Sequence, residues 1–302
     1  MKKVQLGSSE LYVSQLGLGC MSLGTDERTA FPILEAAIEQ GINYFDTADL
    51  YDFGENEKLL GTFFKQNRED IIIASKVGNK WNNEKDSWTW DASKSYIKEA
   101  VKQSLKRLNT DYIDLYQLHG GTLEDNIKET IEAFEELREE GIIRYYGISS
   151  IRPNVIREYV KHSSIVSVMM QYSILDRRPE EEALPLLAKN GISVVTRGPI
   201  AKGLLSENYQ KKLVKGYLDY SLEELQNILP KLQEIVADKH TLTEAALQYN
   251  LANSAVASVI AGASSIEQLV ENAKAVNSEP LSTEEMEAIK NLTKANVYDQ
   301  HR

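Results

Sequence analysis

The sequence predicts an α/β fold, a (β/α)8 TIM barrel in which eight parallel strands close into a ring inside a layer of helices. Short β-branched segments alternate with longer helical segments eight times, and this alternation gives right-handed crossovers and a parallel sheet. The segment GLGCMSLG (17–24), at the end of the first predicted strand, lacks the G-x-G-x-x-G spacing of a doubly wound nucleotide-binding sheet. No Pro/Gly/Ser-rich linker or low-complexity run interrupts the chain. A single barrel domain over residues 1–302 is the simplest interpretation.

The predicted strands and helices follow one another with short connections. The strands are short runs rich in β-branched and aromatic residues, at 14–19, 43–47, 70–77, 111–119, 143–149, 167–173, 192–197 and 257–262. The helices have apolar residues at helical spacing, at 28–41, 55–66, 93–109, 125–141, 154–162, 179–191, within 222–252, and at 265–276. Gly41 ends the first helix, as glycine often does. Two short strand-like pieces around GSSE in KVQLGSSELYVSQ (3–15) predict an N-terminal β-hairpin that caps the bottom of the barrel.

Composition argues against several kinds of partner. The formal net charge of -11 gives nucleic-acid phosphates and anionic lipid headgroups no general attraction, and no basic stripe is interleaved with aromatic residues. No long apolar run and no signal-peptide pattern occurs. Cys20 is the only cysteine, so an internal disulfide and a thiol-based metal site are both excluded. We therefore expect a cytoplasmic protein without nucleic-acid or membrane partners, in which a few local cations hold any anionic ligand.

Functional residues of a (β/α)8 barrel gather at the carboxyl ends of its strands. The predicted strand ends carry a dense set of polar and small residues: Gly19, Cys20, Asp46, Lys76, His119, Ser149, Ser150, Gln171, Arg197, Gly198 and Gly262. Lys76 closes an apolar strand, where an ammonium is costly unless it meets a carboxylate. Asp46 on the neighbouring strand is the nearest candidate. By itself this pair is also compatible with a purely structural ion pair.

Tyr51 follows Asp46 by five residues, in the loop of NYFDTADLYDFGENE (43–57). A phenol becomes a usable proton donor and acceptor when a buried ammonium stabilises its anion. Beside such a pair, His119 would be a neutral donor able to orient a carbonyl oxygen. The residues alone leave two plainer interpretations open, Tyr51 as a packed loop aromatic and His119 as a hydrogen-bonded structural residue.

Several of these motifs, in this order, resemble the aldo-keto reductase family. The resemblance is carried by FDTADLYDFGENE (45–57), similar to the family's DTA..YG.sE signature, by IIIASKVG (71–78), similar to its lysine strand, by YIDLYQLH (112–119), similar to its histidine strand, and by YYGISS (145–150), similar to its GvSn strand. The later segments MMQYS (169–173), RGPIAKGLLS (197–206) and SVIAGASSIEQLVENAKA (258–275) resemble the cofactor-binding segments of bacterial members. Together the motifs span about residues 3–290.

The resemblance implies an NADPH-dependent reduction of a small aldehyde or ketone, with a catalytic tetrad of Tyr51, Lys76, Asp46 and His119. It also implies that NADPH lies extended across the barrel mouth, with Ser149 and Gln171 on the nicotinamide carboxamide. The adenosine 2′-phosphate end would lie on segment 262–272, held by Ser264, Gln268, Asn272 and the backbone N–H groups of the helix start. The plainer interpretation of GASSIEQL is a well-capped helix start. Further contacts are expected at Cys20, Met21, Arg197, Gly198, Lys202 and Gly262. Buried packing explains Cys20 and Met21 equally well, and the plainer interpretation of Lys202 is a solvated loop residue.

The chain departs from the family pattern at four places. Ser150 stands where many members have Asn. Arg197 stands where many have a stacking aromatic; its planar guanidinium can lie against a ring, and Lys202 adds a second local cation. Gln268 replaces an arginine that some members use on the 2′-phosphate, which weakens the expected preference for NADPH over NADH. After His119, GGT (120–122) predicts an open or flexible substrate wall.

The three tryptophans, Trp81, Trp88 and Trp90, all fall in segment 79–92, which we predict to be a loop. They either line an aromatic substrate pocket or pack the loop onto the barrel. Two other functions stay open. A Schiff-base lyase would use Lys76 as its nucleophile, although a neighbouring Asp46 would keep that lysine charged. A nicotinamide-nucleotide-sensing regulatory subunit would bind the same cofactor with little turnover.

Overall fold

The computed structural model describes residues 1–302, and a closed parallel barrel lies at its centre. The strands are β1 (Lys3–Gln5), β2 (Tyr12–Ser14), β3 (Leu16–Gly19), β4 (Tyr44–Asp46), β5 (Ile72–Val77), β6 (Asn79–Trp81), β7 (Trp88–Trp90), β8 (Ile113–Leu118), β9 (Ile143–Ser149), β10 (Ser167–Gln171), β11 (Ser193–Arg197) and β12 (Val256–Ala261). Eight of these, β3 to β5 and β8 to β12, pair in chain order, and β12 pairs with β3 to close the ring. The predicted (β/α)8 barrel is confirmed.

The α-helices surround this barrel. They are α1 (Glu27–Glu39), α2 (Glu55–Phe63), α3 (Lys94–Leu108), α4 (Ile127–Glu139), α5 (Pro153–His162), α6 (Ala183–Lys189), α7 (Leu222–Val236), α8 (Leu242–Leu251), α9 (Ile266–Val276) and α10 (Thr283–Leu292). Most begin at a residue whose side chain caps the first turn, such as Ser93 for α3 and Ser265 for α9. None of them combines the length and the apolar character needed to cross a bilayer.

Alternation of side chains along β5 places Lys76 inside the barrel. Ile72 and Ala74 belong to the apolar cluster of the barrel interior, whereas Ile73 and Val77 belong to the cluster between the barrel and its helices. Because strand side chains alternate with a period of two, Lys76 shares the interior side with Ile72 and Ala74. It is the last interior residue before the strand ends, so its ammonium reaches the mouth.

The two ends of the barrel are closed in different ways. The antiparallel pair β1 and β2 forms the predicted hairpin, and Leu6, Leu11 and Val13 of this segment are buried with interior residues such as Tyr44. The hairpin therefore covers the amino-terminal end with apolar side chains. The carboxyl end carries polar residues and stays open to solvent.

Two elements differ from the expectation. Segment 79–92 is a two-stranded antiparallel ribbon, β6 with β7, rather than a loop; Asn82 organises its turn by accepting from the backbone N–H groups of Asp86 and Ser87. Helix α10 follows α9, the last helix that the sequence predicts. It begins with a capping box between Ser282 and Glu285, and it packs on α7. No strand lies between α9 and α10, so a count of strand–helix units does not include α10.

Candidate active site

Four residues singled out in the sequence come together at the carboxyl end of the barrel. Asp46 ends β4, Lys76 lies near the end of β5, and His119 follows β8, the next strand in the ring. Tyr51 lies in a tight turn before α2, where Asp52 and Phe53 adopt left-handed backbone conformations with φ of 48° and 50°. Such conformations are strained for residues other than glycine. This turn brings the Tyr51 phenol back over the strand ends.

The Lys76 ammonium contacts three oxygen atoms. Its Nζ lies 2.8 Å from Asp46 Oδ2, 2.7 Å from the main-chain oxygen of Thr47 and 3.3 Å from the Tyr51 hydroxyl. A lysine ammonium has three N–H donors and no acceptor, so each of its protons has a partner, and the Tyr51 oxygen is one of them. The Tyr51 hydroxyl proton is therefore not needed for this contact.

The Lys76 and Asp46 side chains are almost fully buried, with 0% and 5% exposure. Burial by itself lowers the pKa of the Lys76 ammonium, but the Asp46 carboxylate and the Tyr51 oxygen outweigh it and raise the pKa above its ordinary value. Burial raises the pKa of the Asp46 carboxyl, and the Lys76 ammonium opposes that rise. Lys76 is thus a charged donor at neutral pH.

His119 lies beside Tyr51 as a neutral ring. The two ring centroids are 6.0 Å apart at an interplanar angle of 80°. Burial, together with the charges of Lys76 and Arg197, lowers the pKa of His119 to about 3. Its backbone N–H donates to Val77 O at 2.7 Å, and Nδ1 is buried without a protein partner. A neutral imidazole can donate one hydrogen bond to a ligand oxygen.

Sequence analysis missed Asn56, which supports this group from behind. Thr47 Oγ1 donates to Asn56 Oδ1 at 2.6 Å, and Asn56 Nδ2 donates to Cys20 O at 2.9 Å. Asn56 is fully buried in the first turn of α2. Its two hydrogen bonds link Thr47, just after β4, to Cys20, just after β3. Asn56 thereby fixes the Thr47 main chain whose oxygen accepts from Lys76. Asn56 stands inside the signature segment 45–57, which was the available signal.

An open cavity of about 730 Å³ lies above the four residues. Tyr51, Lys76 and His119 form part of its wall, and Asp46 lies behind Lys76. Trp88 and Trp90 line the cavity, while Trp81 packs edge-on against Phe53 outside it. The ribbon β6–β7 therefore contributes two of its three indoles to the pocket.

The glycines after His119 do not leave the cavity wall open, because the Trp90 ring occupies the space beside Gly120. A Cβ atom on Gly120 would lie 3.2 Å from the Trp90 ring, and one on Gly78 would lie 2.5 Å from it. Trp90 Nε1 donates to Asp125 Oδ1 at 2.8 Å, which fixes the indole in this place. The expected open or flexible wall is thus covered by an indole, because the absence of side chains at these glycines lets the ring approach the backbone.

The residues expected to hold the nicotinamide end include Ser149, Gln171 and Arg197. Ser149 and Arg197 line the cavity. Gln171 Nε2 donates to Asp176 Oδ2 at 2.8 Å, and Arg197 Nη1 donates to Gln171 Oε1 at 3.0 Å. Since a carboxylate only accepts, the contact with Asp176 fixes which way the Gln171 amide points. Gln171 therefore presents its oxygen, not its NH2 group, on the side of Arg197.

Of the other expected cofactor residues, Met21 lines the cavity and the rest do not. Met21 is exposed in the wall, whereas Cys20 is fully buried. Gly198 has a φ of 67° and Lys202 a φ of 59°, and Lys202 is exposed.

Segment 262–272 is self-paired. Ser264 donates to Gln268 Oε1 from both N and Oγ, at 2.9 and 3.0 Å. Asn272 Nδ2 donates to Gly262 O at 3.4 Å. The segment contains no lysine or arginine.

The chain is similar to known oxidoreductases over its whole length. A sequence model described as Aldo/keto reductase family matches residues 15–294. The oxidoreductase YqkF of Bacillus subtilis (strain 168) is 60% identical over 100% of both chains. The NADH-specific methylglyoxal reductase of Escherichia coli (strain K12) is 32% identical, covering 92% of this chain and 94% of that protein. The holo form of the aldo-keto reductase AKR11C1 from Bacillus halodurans superposes with a TM-score of 0.95 at 60% identity, covering 100% and 99% of the two chains.

Proposed function

Because the chain belongs to the aldo/keto reductase family of oxidoreductases, we propose that it reduces aldehydes or ketones to alcohols with NADPH, and that Tyr51 is the proton donor. The observation that carries the proposal is the set of three acceptors around Lys76 Nζ. One of the three is the Tyr51 oxygen, so the ammonium is placed to stabilise the phenolate that remains after proton transfer.

The reaction divides between the cofactor and this chain. Bound NADPH supplies the hydride that the carbonyl carbon accepts. Tyr51 gives its hydroxyl proton to the carbonyl oxygen, and Lys76 stabilises the phenolate left behind. Asp46 keeps Lys76 charged, and His119, being neutral, donates a hydrogen bond that orients the carbonyl oxygen. Alcohol oxidation is the reverse.

The residues at the mouth fit a nicotinamide dinucleotide. Gln171 Oε1 faces Arg197 and can accept from a carboxamide NH2 group, while Ser149 can donate to the carboxamide oxygen. The Arg197 guanidinium is exposed and planar, so it can lie against a ring. Gly198, Lys202 and Met21 extend this contact surface.

The segment proposed to bind the adenosine end of NADPH, 262–272, contains polar residues but no cation. Ser264, Gln268, Asn272 and the backbone N–H groups near Gly262 would hold the 2′-phosphate. Since segment 262–272 has no basic residue, the preference for NADPH over NADH rests on the backbone donors and on cations outside the segment. Fluorescence titration with both dinucleotides measures it directly.

The Tyr51→Phe variant tests the proton-donor role. It removes one oxygen from the cavity wall, and we expect kcat to fall by about 10²- to 10⁴-fold, the usual contribution of a general acid. The Kd for NADPH should change less than about twofold, since the phenol is not among the proposed dinucleotide contacts. Reduction of an aldehyde panel at the parent rate would refute the assignment.

Two other functions are separated by simple observations. A Schiff-base lyase needs a neutral lysine with a free lone pair, and the three acceptors around Lys76 Nζ, with its raised pKa, oppose that state. Borohydride trapping of a carbonyl substrate on Lys76 would favour the lyase. A nucleotide sensor would bind NADPH without oxidising it in a single turnover with aldehydes.

A further inference from the structure

We propose that the cavity selects carbonyl substrates that carry a carboxylate or another anionic group, and that Arg152 binds this group. The inference rests on the proposed carbonyl reduction. Arg152 lies between β9 and α5, and it lines the same cavity as Tyr51 and His119.

One nitrogen of the Arg152 guanidinium is fixed by a hydrogen bond to the protein. Its Nη1 donates to Gly121 O at 2.6 Å, and its backbone N–H donates to Ser150 Oγ at 3.2 Å. A guanidinium has five N–H donors in a rigid fork. One hydrogen bond to the wall therefore orients Arg152 and leaves the remaining donors for a ligand oxygen.

The charge around Arg152 is not balanced by the protein. No aspartate or glutamate lines the cavity, and Arg152 takes part in no ion pair, although the chain as a whole has a net charge of -11. Asp125 lies below the same wall, but its two oxygens accept from Trp90 Nε1 and from Thr122 N. An arginine that is half-buried without a counterion favours an anion from outside the chain.

This anion need not be the dinucleotide. The exposed cations of the proposed dinucleotide surface, Arg197 and Lys202, lie at the end of β11 and in the loop that follows it. Arg152 instead follows β9 and donates to Gly121 O, next to Gly120, against whose backbone the Trp90 ring packs. Trp88 and Trp90 line the same cavity and would hold the body of a substrate. Arg152 and Arg197 thus enter the same cavity from the ends of different strands, β9 and β11, and we assign Arg152 to the substrate and Arg197 to the cofactor.

A matched pair of substrates tests the proposal: 4-carboxybenzaldehyde and methyl 4-formylbenzoate, which differ only in the charge at the far end of one ring. We expect the wild-type kcat/KM to favour the acid by about tenfold or more, the effect of one charge-assisted hydrogen bond. Arg152→Met should lower this acid-to-ester ratio to near one, and Arg152→Lys should keep part of it. Lys161→Met, an exposed cation on α5 outside the cavity, should leave the ratio unchanged.

The outcomes separate this proposal from the proposed reaction. Equal kcat/KM for acid and ester in the wild type overturns the role of Arg152 and leaves carbonyl reduction standing. A ratio that survives in Arg152→Met, with weaker NADPH binding, assigns Arg152 to the dinucleotide and also overturns it. If neither aldehyde is reduced, the proposed reaction fails. Calorimetric binding of benzoate to the protein–NADP⁺ complex then decides on Arg152, with a Kd about tenfold higher expected in Arg152→Met and an equal Kd refuting it.

Discussion

The two sides of the barrel mouth differ in how completely their polar groups are buried and paired. On one side, formed by the ends of β4, β5 and β8, Asp46 and Lys76 are buried and the ammonium has all three of its hydrogen bonds. On the other side, formed by the ends of β10, β11 and β12, Arg197 and Lys202 are exposed. We call these the tetrad side and the β10–β12 side. On the first side the Lys76 ammonium has a partner for each of its protons, whereas on the second side Gln171 pairs with Arg197 and Ser264 pairs with Gln268 near the surface.

This difference fits the two tasks proposed for the mouth. A buried ion pair is costly to break, because a charge is left without its partner in an apolar environment. Exposed hydrogen bonds, such as those between Ser264 and Gln268, can be exchanged for ligand or water at little net cost. In this proposal the chemistry depends on groups that do not move, whereas dinucleotide binding depends on groups that can change partners.

Lys76→Met should have the largest effect, on stability and on turnover alike. Removing one partner of a buried pair costs roughly 3–5 kcal/mol of the free energy of unfolding, and the phenolate of Tyr51 loses its stabilising charge. Urea denaturation followed by circular dichroism measures the first effect, and steady-state reduction of an aldehyde measures the second.

The double variant Asp46→Asn/Lys76→Met is the control for this cost. It removes both charges, so we expect it to recover a large part of the lost stability and none of the turnover. If the single variant Lys76→Met were as stable as the parent, the prediction would be wrong. The buried pair would then contribute no more to the free energy of unfolding than the surface contacts of the opposite side do.

His119 should make the protein less stable in acid. Its pKa is lowered to about 3 in the folded chain, against an ordinary value of about 6.5. Between these values the unfolded chain binds a proton that the folded chain does not, so stability falls as the pH falls through this window. Comparing parent and His119→Asn by urea denaturation at pH 7 and pH 4.5, we expect the parent to lose roughly 2–3 kcal/mol more than the variant. Parallel losses would show that His119 is not buried as a neutral ring.

The barrel and the contact between Asp46 and Lys76 could both be predicted from the sequence, for the same reason. Strand–helix alternation fixes a parallel ring, and a parallel ring brings the ends of neighbouring strands together, so Asp46 and Lys76 could be paired from their positions alone. The Thr47 main-chain oxygen and the supporting Asn56 could not be paired in this way. Their roles depend on backbone direction within a turn, which residue types do not specify.

Three further features could not be predicted from the residue types. GGT (120–122) predicted an open wall because glycine lacks a side chain, yet the space is taken by Trp90 from a distant segment. Helix α10 was missed because the strand–helix count was already complete. The fixed orientation of the Gln171 amide depends on Asp176, five residues away in a bridged turn. For the wall and for the Gln171 amide, the deciding contact is made by one particular side chain, Trp90 or Asp176, whose position the local sequence does not specify.

Gln268→Arg should change cofactor preference without changing stability. An arginine at this position adds the cation that segment 262–272 lacks and frees the Ser264 N–H group. We expect the ratio of Kd for NADH to Kd for NADPH to rise about tenfold, as a charge-assisted contact to the 2′-phosphate requires. Gln268→Met removes the amide without adding charge, so it separates the two contributions. An unchanged ratio in Gln268→Arg would place the 2′-phosphate elsewhere.

Lys202→Ala should have the smallest effect of the series. The side chain is exposed and pairs with no carboxylate, and exposed charge contacts contribute at most about 1 kcal/mol. We expect the Kd for NADPH to rise roughly two- to fivefold at low salt, with the difference disappearing as ionic strength increases, while Lys161→Ala stays at the parent value. A loss above about tenfold that persists in high salt would mean that Lys202 becomes buried against the phosphates on binding. The cations of the β10–β12 side would then be buried and paired in the complex, a state that Lys76 on the tetrad side already has in the free protein.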